Sequence, residues 1–97
     1  MKVYTLVITS RDETEINVLN VIMKTDPKDI ANIIQDDYND MANDRGNIDP
    51  ISVTIDDIVN DAEWIFENSD DSDIHYQILV QDLTVNGKTV ELISPDA

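Results

Sequence analysis

Residues 2–9 are apolar on both phases of an alternation, Tyr4, Leu6 and Ile8 against Val3, Thr5 and Val7. That is a strand with a mostly apolar character on both sides. Residues 10–14 are polar and of hairpin length, and residues 15–24 read as a second strand. There Ile16, Val18 and Ile22 fall opposite Leu19, Val21 and Met23, and the β-branched residues favour strand over helix. At Asp26-Pro27 the period changes. Asp26 can accept from the free amides of a first turn, and Pro27 at the first helical position loses no bond. Asp29 suits the positive end of that helix, and Ile30, Ile34, Tyr38 and Met41 make its buried stripe. Residues 43–46, ending in Gly46, supply the stop, and residues 47–50 are linker.

Residues 51–55 fit either a short strand or a helix lead-in. Thr54 with Asp57 three positions later is the acidic form of a capping box, so a second helix is expected from Ile55. Its apolar face would be Ile55, Ile58, Val59, Ala62, Ile65 and Phe66. Residues 68–73 are a charged loop, residues 74–85 a long strand, and residues 88–93 its returning partner. Asn86-Gly87 between them supplies the two positive φ values of a type I′ turn. That turn pairs Leu83 with Val90, Gln81 with Leu92, and Asp82 with Glu91. The expected fold is α+β: a four-stranded antiparallel sheet with two amphipathic helices, in the order β-β-α-α-β-β. Hairpins at both chain ends make a meander the economical topology, with the helices on one face or one on each. Residues 1–97 form a single acidic domain.

Charge changes the picture more than any motif does. The chain carries −15, and residues 26–73 hold fifteen of the 21 acidic residues against Lys28 and Arg45. Such a surface repels nucleic acid and anionic lipid and suits a cationic partner. Salt adaptation is the bland alternative, but fourteen Ile and nine Asn beside four Ala and two Gly resemble an AT-rich coding sequence instead. No run is apolar enough to span a bilayer, and no signal-peptide pattern opens the chain. The chain has no cysteine, which removes thiolate chemistry and disulfides.

The carboxylates fall on the faces opposite the apolar stripes. On the first helix Asp29, Asp36, Asp40 and Asp44 lie within about 80° of one another, at roughly 6 Å per i, i+4 step. Asp37 adjoins this row. On the second, Asp57, Asn60 and Asp61 point away from the core, with Asp56, Glu63 and Glu67 beside them and Trp64 in the same sector. Trp64 is either an interface anchor or a ring folded onto a loop or a sheet edge. Asp70 and Asp71 extend the acidic surface into the loop. That loop lacks the glycine and terminal Glu of a calcium-binding EF-hand, and adjacent helical carboxylates diverge by ~100°, so no metal is expected. His75 has no nucleophile or acid motif beside it, and no cofactor loop is present, so no enzyme activity is expected. A second apolar strip, Ile74, Tyr76, Ile78, Val80 and Ile93, favours a dimer through the sheet if both helices cover the other face.

In size, absence of cysteine and acidic distribution over residues 26–73, the chain resembles phage-encoded DNA-mimic inhibitors of bacterial defence, of the anti-CRISPR and anti-restriction type. The resemblance implies a non-enzymatic protein inhibitor in the bacterial cytoplasm that occupies the basic nucleic-acid groove of a nuclease. Asp29, Asp36, Asp37, Asp40, Asp44, Asp57, Asp61, Glu67, Asp70 and Asp71 would stand for phosphates, with Trp64 adding contact area. Two other functions fit the charge: an immunity or antitoxin module neutralising one cationic toxin, and an accessory homodimer whose acidity serves solubility.

Overall fold

In the computed structural model, residues 1–67 and 72–82 are described in full, with the backbone of residues 84, 85, 88 and 89. β1 (Lys2–Arg11) and β2 (Ile16–Lys24) form the first hairpin. Its turn is held by Asp12, whose Oδ1 accepts from Thr14 N, Thr14 Oγ1 and Glu15 N at 2.7–2.9 Å. These bonds, the Thr14 amide first, hold the Asp12 carboxyl below its ordinary value.

α1 (Pro27–Arg45) begins as the residues dictate, with Lys28 N donating to Asp26 Oδ1 and Pro27 in the first turn. It ends at Gly46, whose φ of 78° carries the chain out of the helix and whose N–H reaches Ala42 O. Ile30, Ala31, Ile34 and Ala42 are buried, with Tyr38 and Met41 packed against them.

The ambiguous segment after α1 joins no sheet and enters α2 through Thr54, whose backbone is extended. Two amides of α1 one turn apart take the place of a neighbouring strand. Asn39 accepts from Ile51 N at 2.8 Å and donates to Ile51 O at 3.0 Å, while Gln35 Oε1 accepts from Val53 N at 2.9 Å. The ~6 Å step of i, i+4 on a helix matches the ~6.6 Å between alternate residues of an extended chain. Asn39→Ala removes both bonds to Ile51 and is expected to cost about 2 kcal/mol in urea unfolding. Asn39→Asp, which keeps the acceptor alone and opposes a carboxylate to a carbonyl, should cost at least as much.

α2 (Ile55–Val59) starts with the expected Thr54–Asp57 capping box but is five residues long rather than twelve. Its end is a Schellman motif, with Asp61 N bonded to Ile58 O and Ala62 N to Asp57 O. Asp61 holds the left-handed position at φ 57°. Asp tolerates that conformation better than most residues, and sequence periodicity does not register it. Asp61→Gly relieves the strain and is expected to stabilise by about 0.5–1 kcal/mol, read as a raised urea midpoint with unchanged slope.

Residues 64–66, expected as helix, are β3 (Trp64–Phe66). β4 (Asp73–Asp82) pairs with β3 on one side and with β1 on the other. The sheet is four-stranded and antiparallel in the order β2-β1-β4-β3. Its fourth strand is therefore β3, not the returning arm of the C-terminal hairpin, and the meander is replaced by two hairpins joined through β1 and β4. β5 (Thr84–Val85) and β6 (Lys88–Thr89) form a separate ladder pairing Thr84 with Thr89 and Val85 with Lys88. The expected turn at Asn86-Gly87, the pairs involving Leu83, Val90, Glu91 and Leu92, and Ile93 lie outside the described residues.

Both helices cover one face. Tyr4, Leu6 and Ile8 of β1, Tyr76 and Ile78 of β4, Phe66 of β3, the α1 stripe and Ile58 form one core. Tyr38 stands edge-on to Phe66, centroids 5.1 Å apart, and tilted against Tyr76 at 6.4 Å. Ile74 and Val80 pack against this core, so the 74–80 strip expected to be free for a dimer is the covered one. On the face away from the helices Val3, Thr5 and Thr9 of β1 are buried, whereas Val21 of β2, Leu79 of β4 and Ile65 of β3 are exposed. A bulge in the pairing at Ile8/Thr9 leaves Leu19 out of register and shifts the phase of β2. Ile16, Val18, Val21 and Met23 consequently share the face away from the helices, and Ile22 alone of the apolar set turns to the core. The expected division of β2 is corrected accordingly.

Candidate functional site

α1 is a 19-residue rod, about 28 Å long, anchored along one side by the core. Asp29, Asp36, Asp40 and Asp44 are all exposed on its outer side. Among the described residues none of the four carboxylates has a hydrogen-bond or ion-pair partner. Nor do three His, Asp or Glu side chains converge as ligands of one ion among those residues. Asp36, Asp40 and Asp44 are consecutive i, i+4 positions, so their charges repeat at roughly 6 Å along a fixed axis. The chain matches no protein-family model, no curated protein and no solved structure.

The remaining candidates divide. Asp37 is exposed but has a structural task, since the buried Tyr76 hydroxyl donates to its Oδ2 at 2.5 Å. Burial first, and then this bond to a carboxylate, push the Tyr76 hydroxyl far above its ordinary value of 10.0. A raised folded-state value means that the contribution is complete below pH 10 and is lost as the pH rises further, when only the unfolded tyrosine ionises. Wild-type stability should therefore fall faster above pH 10 than that of Tyr76→Phe, by up to ~1.4 kcal/mol per pH unit. At pH 7 the Phe variant should be less stable by about 1.5–3 kcal/mol. Urea titrations at both pH values check this.

Asp57 is half-buried, and its carboxylate is taken by the Thr54 N–H of the capping box. Asp61 is exposed in the α2 stop. Trp64, expected among helical carboxylates, is in β3 opposite Tyr76, half-buried against the core, and Glu67 follows it exposed. Trp64 thus takes the sheet-edge alternative, because the helix that would have turned it outward stops at Val59. Asp70 and Asp71 lie outside the described residues. The expected pair of acidic rods is in fact one rod, α1, flanked by a capped turn and an edge strand.

Sequence reasoning missed two things. Gln35 and Asn39, which fix the chain beside α1, read as ordinary polar helix positions. The apolar side chains of β2 on the sheet face away from the helices were missed as well, although Asn17 and Asn20, three apart within an alternating segment, are a signal of the slipped phase. Across that face a polar chain runs from Arg11 Nη2 to Gln77 Oε1 at 2.8 Å, and from Gln77 Nε2 to Glu63 Oε2 at 3.0 Å. Glu63 Oε1 lies 3.9 Å from His75 Nδ1, a buried atom with no hydrogen-bond partner among the described residues.

Proposed function

We propose that the chain is a non-enzymatic inhibitor that lays the acidic side of α1 into the basic nucleic-acid groove of a bacterial defence nuclease, of the anti-CRISPR or anti-restriction type. It would act in the host cytoplasm without a cofactor. The observation that carries this is the row Asp29, Asp36, Asp40 and Asp44, exposed and unpartnered among the described residues on a rod capped at both ends. Phosphates on one strand of a duplex advance ~3.4 Å per nucleotide along its axis, so a ~6 Å charge repeat is of the same order. Short Asp side chains keep each charge close to the backbone. A groove lined with Lys and Arg gains Coulomb energy from such a row without having to order it first.

A second function, neutralising a single cationic toxin, draws on Trp64. Trp64 is only partly buried at a sheet edge between Glu63 and Glu67, a candidate anchor beside two charges. Immobilised full-length chain, incubated with nuclease-treated bacterial lysate and washed at graded salt, tests both. The inhibitor should retain nucleic-acid-binding proteins that elute progressively as salt rises. A single captured protein lost on Trp64→Ala but indifferent to substitution along α1 would favour the toxin partner and overturn the groove.

A further inference from the structure

We infer that residues 60–66 are a conformational strap with two states, the β3 edge strand of this structure and a released state in which α2 continues through them as helix. The inference does not depend on what α1 binds. Local sequence and fold conflict most directly here. The Thr54–Asp57 capping box is formed on both sides, and Ile55, Ile58, Val59, Ala62, Ile65 and Phe66 keep a helical period through residue 66. α2 nevertheless stops at Val59. Ile55 is left 47% exposed, Val59 43% and Ile65 41%, so this fold buries only part of the stripe that the sequence provides. Disagreement between local preference and fold marks strained or functional positions.

The strain sits at the point of conflict. Asp61, at φ 57°, is the one non-glycine residue with a positive φ among the described residues. Such a residue persists only where its surroundings hold it. Here the hold is slight. β3 has three residues, lies at the edge of the sheet and pairs with β4. Its principal anchor is Phe66, 2% exposed against the Tyr38 ring, and a second is Gln77 Nε2, which donates to Glu63 Oε2 at 3.0 Å. Release gives up both anchors and relieves Asp61. Charge opposes it, because a continued helix sets Asp57 beside Asp61 and Glu63 beside Glu67 at i, i+4, with both glutamates near its negative end. Phe66 and this repulsion therefore keep the strand, while the capping box, the apolar period and Asp61 favour the helix. In the released state Asp57, Asn60, Asp61 and Trp64 share one helical face, at i, i+3, i+4 and i+7. β3 half-buries Trp64, so the strap decides whether that ring is presented among carboxylates.

Phe66→Ala in the full chain, combined with either of two changes at position 61, tests this. Asp61→Ala makes the left-handed turn costly and favours helix, whereas Asp61→Gly favours the turn and opposes helix. The two double variants should differ in their balance of helix and strand by at least about tenfold. Phe66→Ala/Asp61→Ala should show helical Cα chemical shifts over residues 60–66. Its far-UV circular dichroism should show a gain of up to about seven helical residues beside the 19 of α1 and the five of α2. Phe66→Ala/Asp61→Gly should gain none. Cooperative urea unfolding establishes that each variant folds. If Phe66→Ala does not, Phe66→Leu replaces it and the same contrast between Ala and Gly at position 61 is read. Absence of helical shifts from the folded Asp61→Ala double variant overturns the inference, as does equal helix in the two.

Discussion

Replacing Asp36, Asp40 and Asp44 together by Lys should lower affinity for the proposed basic partner at least about 100-fold while making the free chain more stable at low salt. Three solvated ion pairs at about 1 kcal/mol each already amount to ~3 kcal/mol, and reversal adds repulsion from the groove. The opposite sign for stability comes from the bulk charge. At −15 the chain repels itself, and its few cations leave the exposed α1 carboxylates little to offset that repulsion. Three Lys side chains bring the total to −9. Thermal unfolding at low ionic strength should shift upward, and the shift should shrink as salt is added. A site that costs stability and is needed for binding is the signature of a surface kept for function. Binding unchanged by the triple reversal would remove α1 from the interface.

Phe66→Ala should cost about 3–5 kcal/mol, whereas Ile65→Ala should cost under ~1 kcal/mol. Phe66 is 2% exposed and sits against the Tyr38 ring, while its neighbour Ile65 is 41% exposed on the opposite face of the sheet. In a helix continuing from Ile55 both would belong to one apolar stripe and both would be costly. Period-two alternation in β3 separates them. Because β3 has three residues and Phe66 supplies its principal buried side chain, truncation should also release Trp64 from Tyr76. A red shift of tryptophan emission in the folded Phe66→Ala variant, absent from Ile65→Ala, would report that release. Equal costs at the two positions would restore the longer helix.

The elements legible in the sequence were those that carry their own local punctuation. Asp26-Pro27 and Gly46 bound α1, Thr54 and Asp57 start α2, and the alternation in residues 2–9 gives β1. What was not legible depends on backbone states or on distant partners. Residues 55–66 satisfy a helical period, but Asp61 in the left-handed conformation ends α2 after one turn. Phe66 then becomes a core residue by pairing beside Ile74 rather than by helical spacing. The bulge near Leu19 exchanges the faces of Ile22 and Val21, and its cause is the register against β1. For the candidate site, α1 is legible because i, i+4 spacing alone places its carboxylates together. Asp57 is legible as the capping carboxylate of α2, and that bond to Thr54 N–H is what sets it apart from the free carboxylates of α1. Asp37 differs from Asp36 through Tyr76, 39 positions away.

Displacement by duplex DNA is the most direct test of the acidic row on α1. Partner protein captured on the immobilised full-length chain should be released by a short DNA duplex at constant salt. Asp36→Asn/Asp40→Asn/Asp44→Asn chain should capture little of it from the start. Capture that persists in excess duplex, or that is equal on wild-type and triple-Asn chain, would contradict the account.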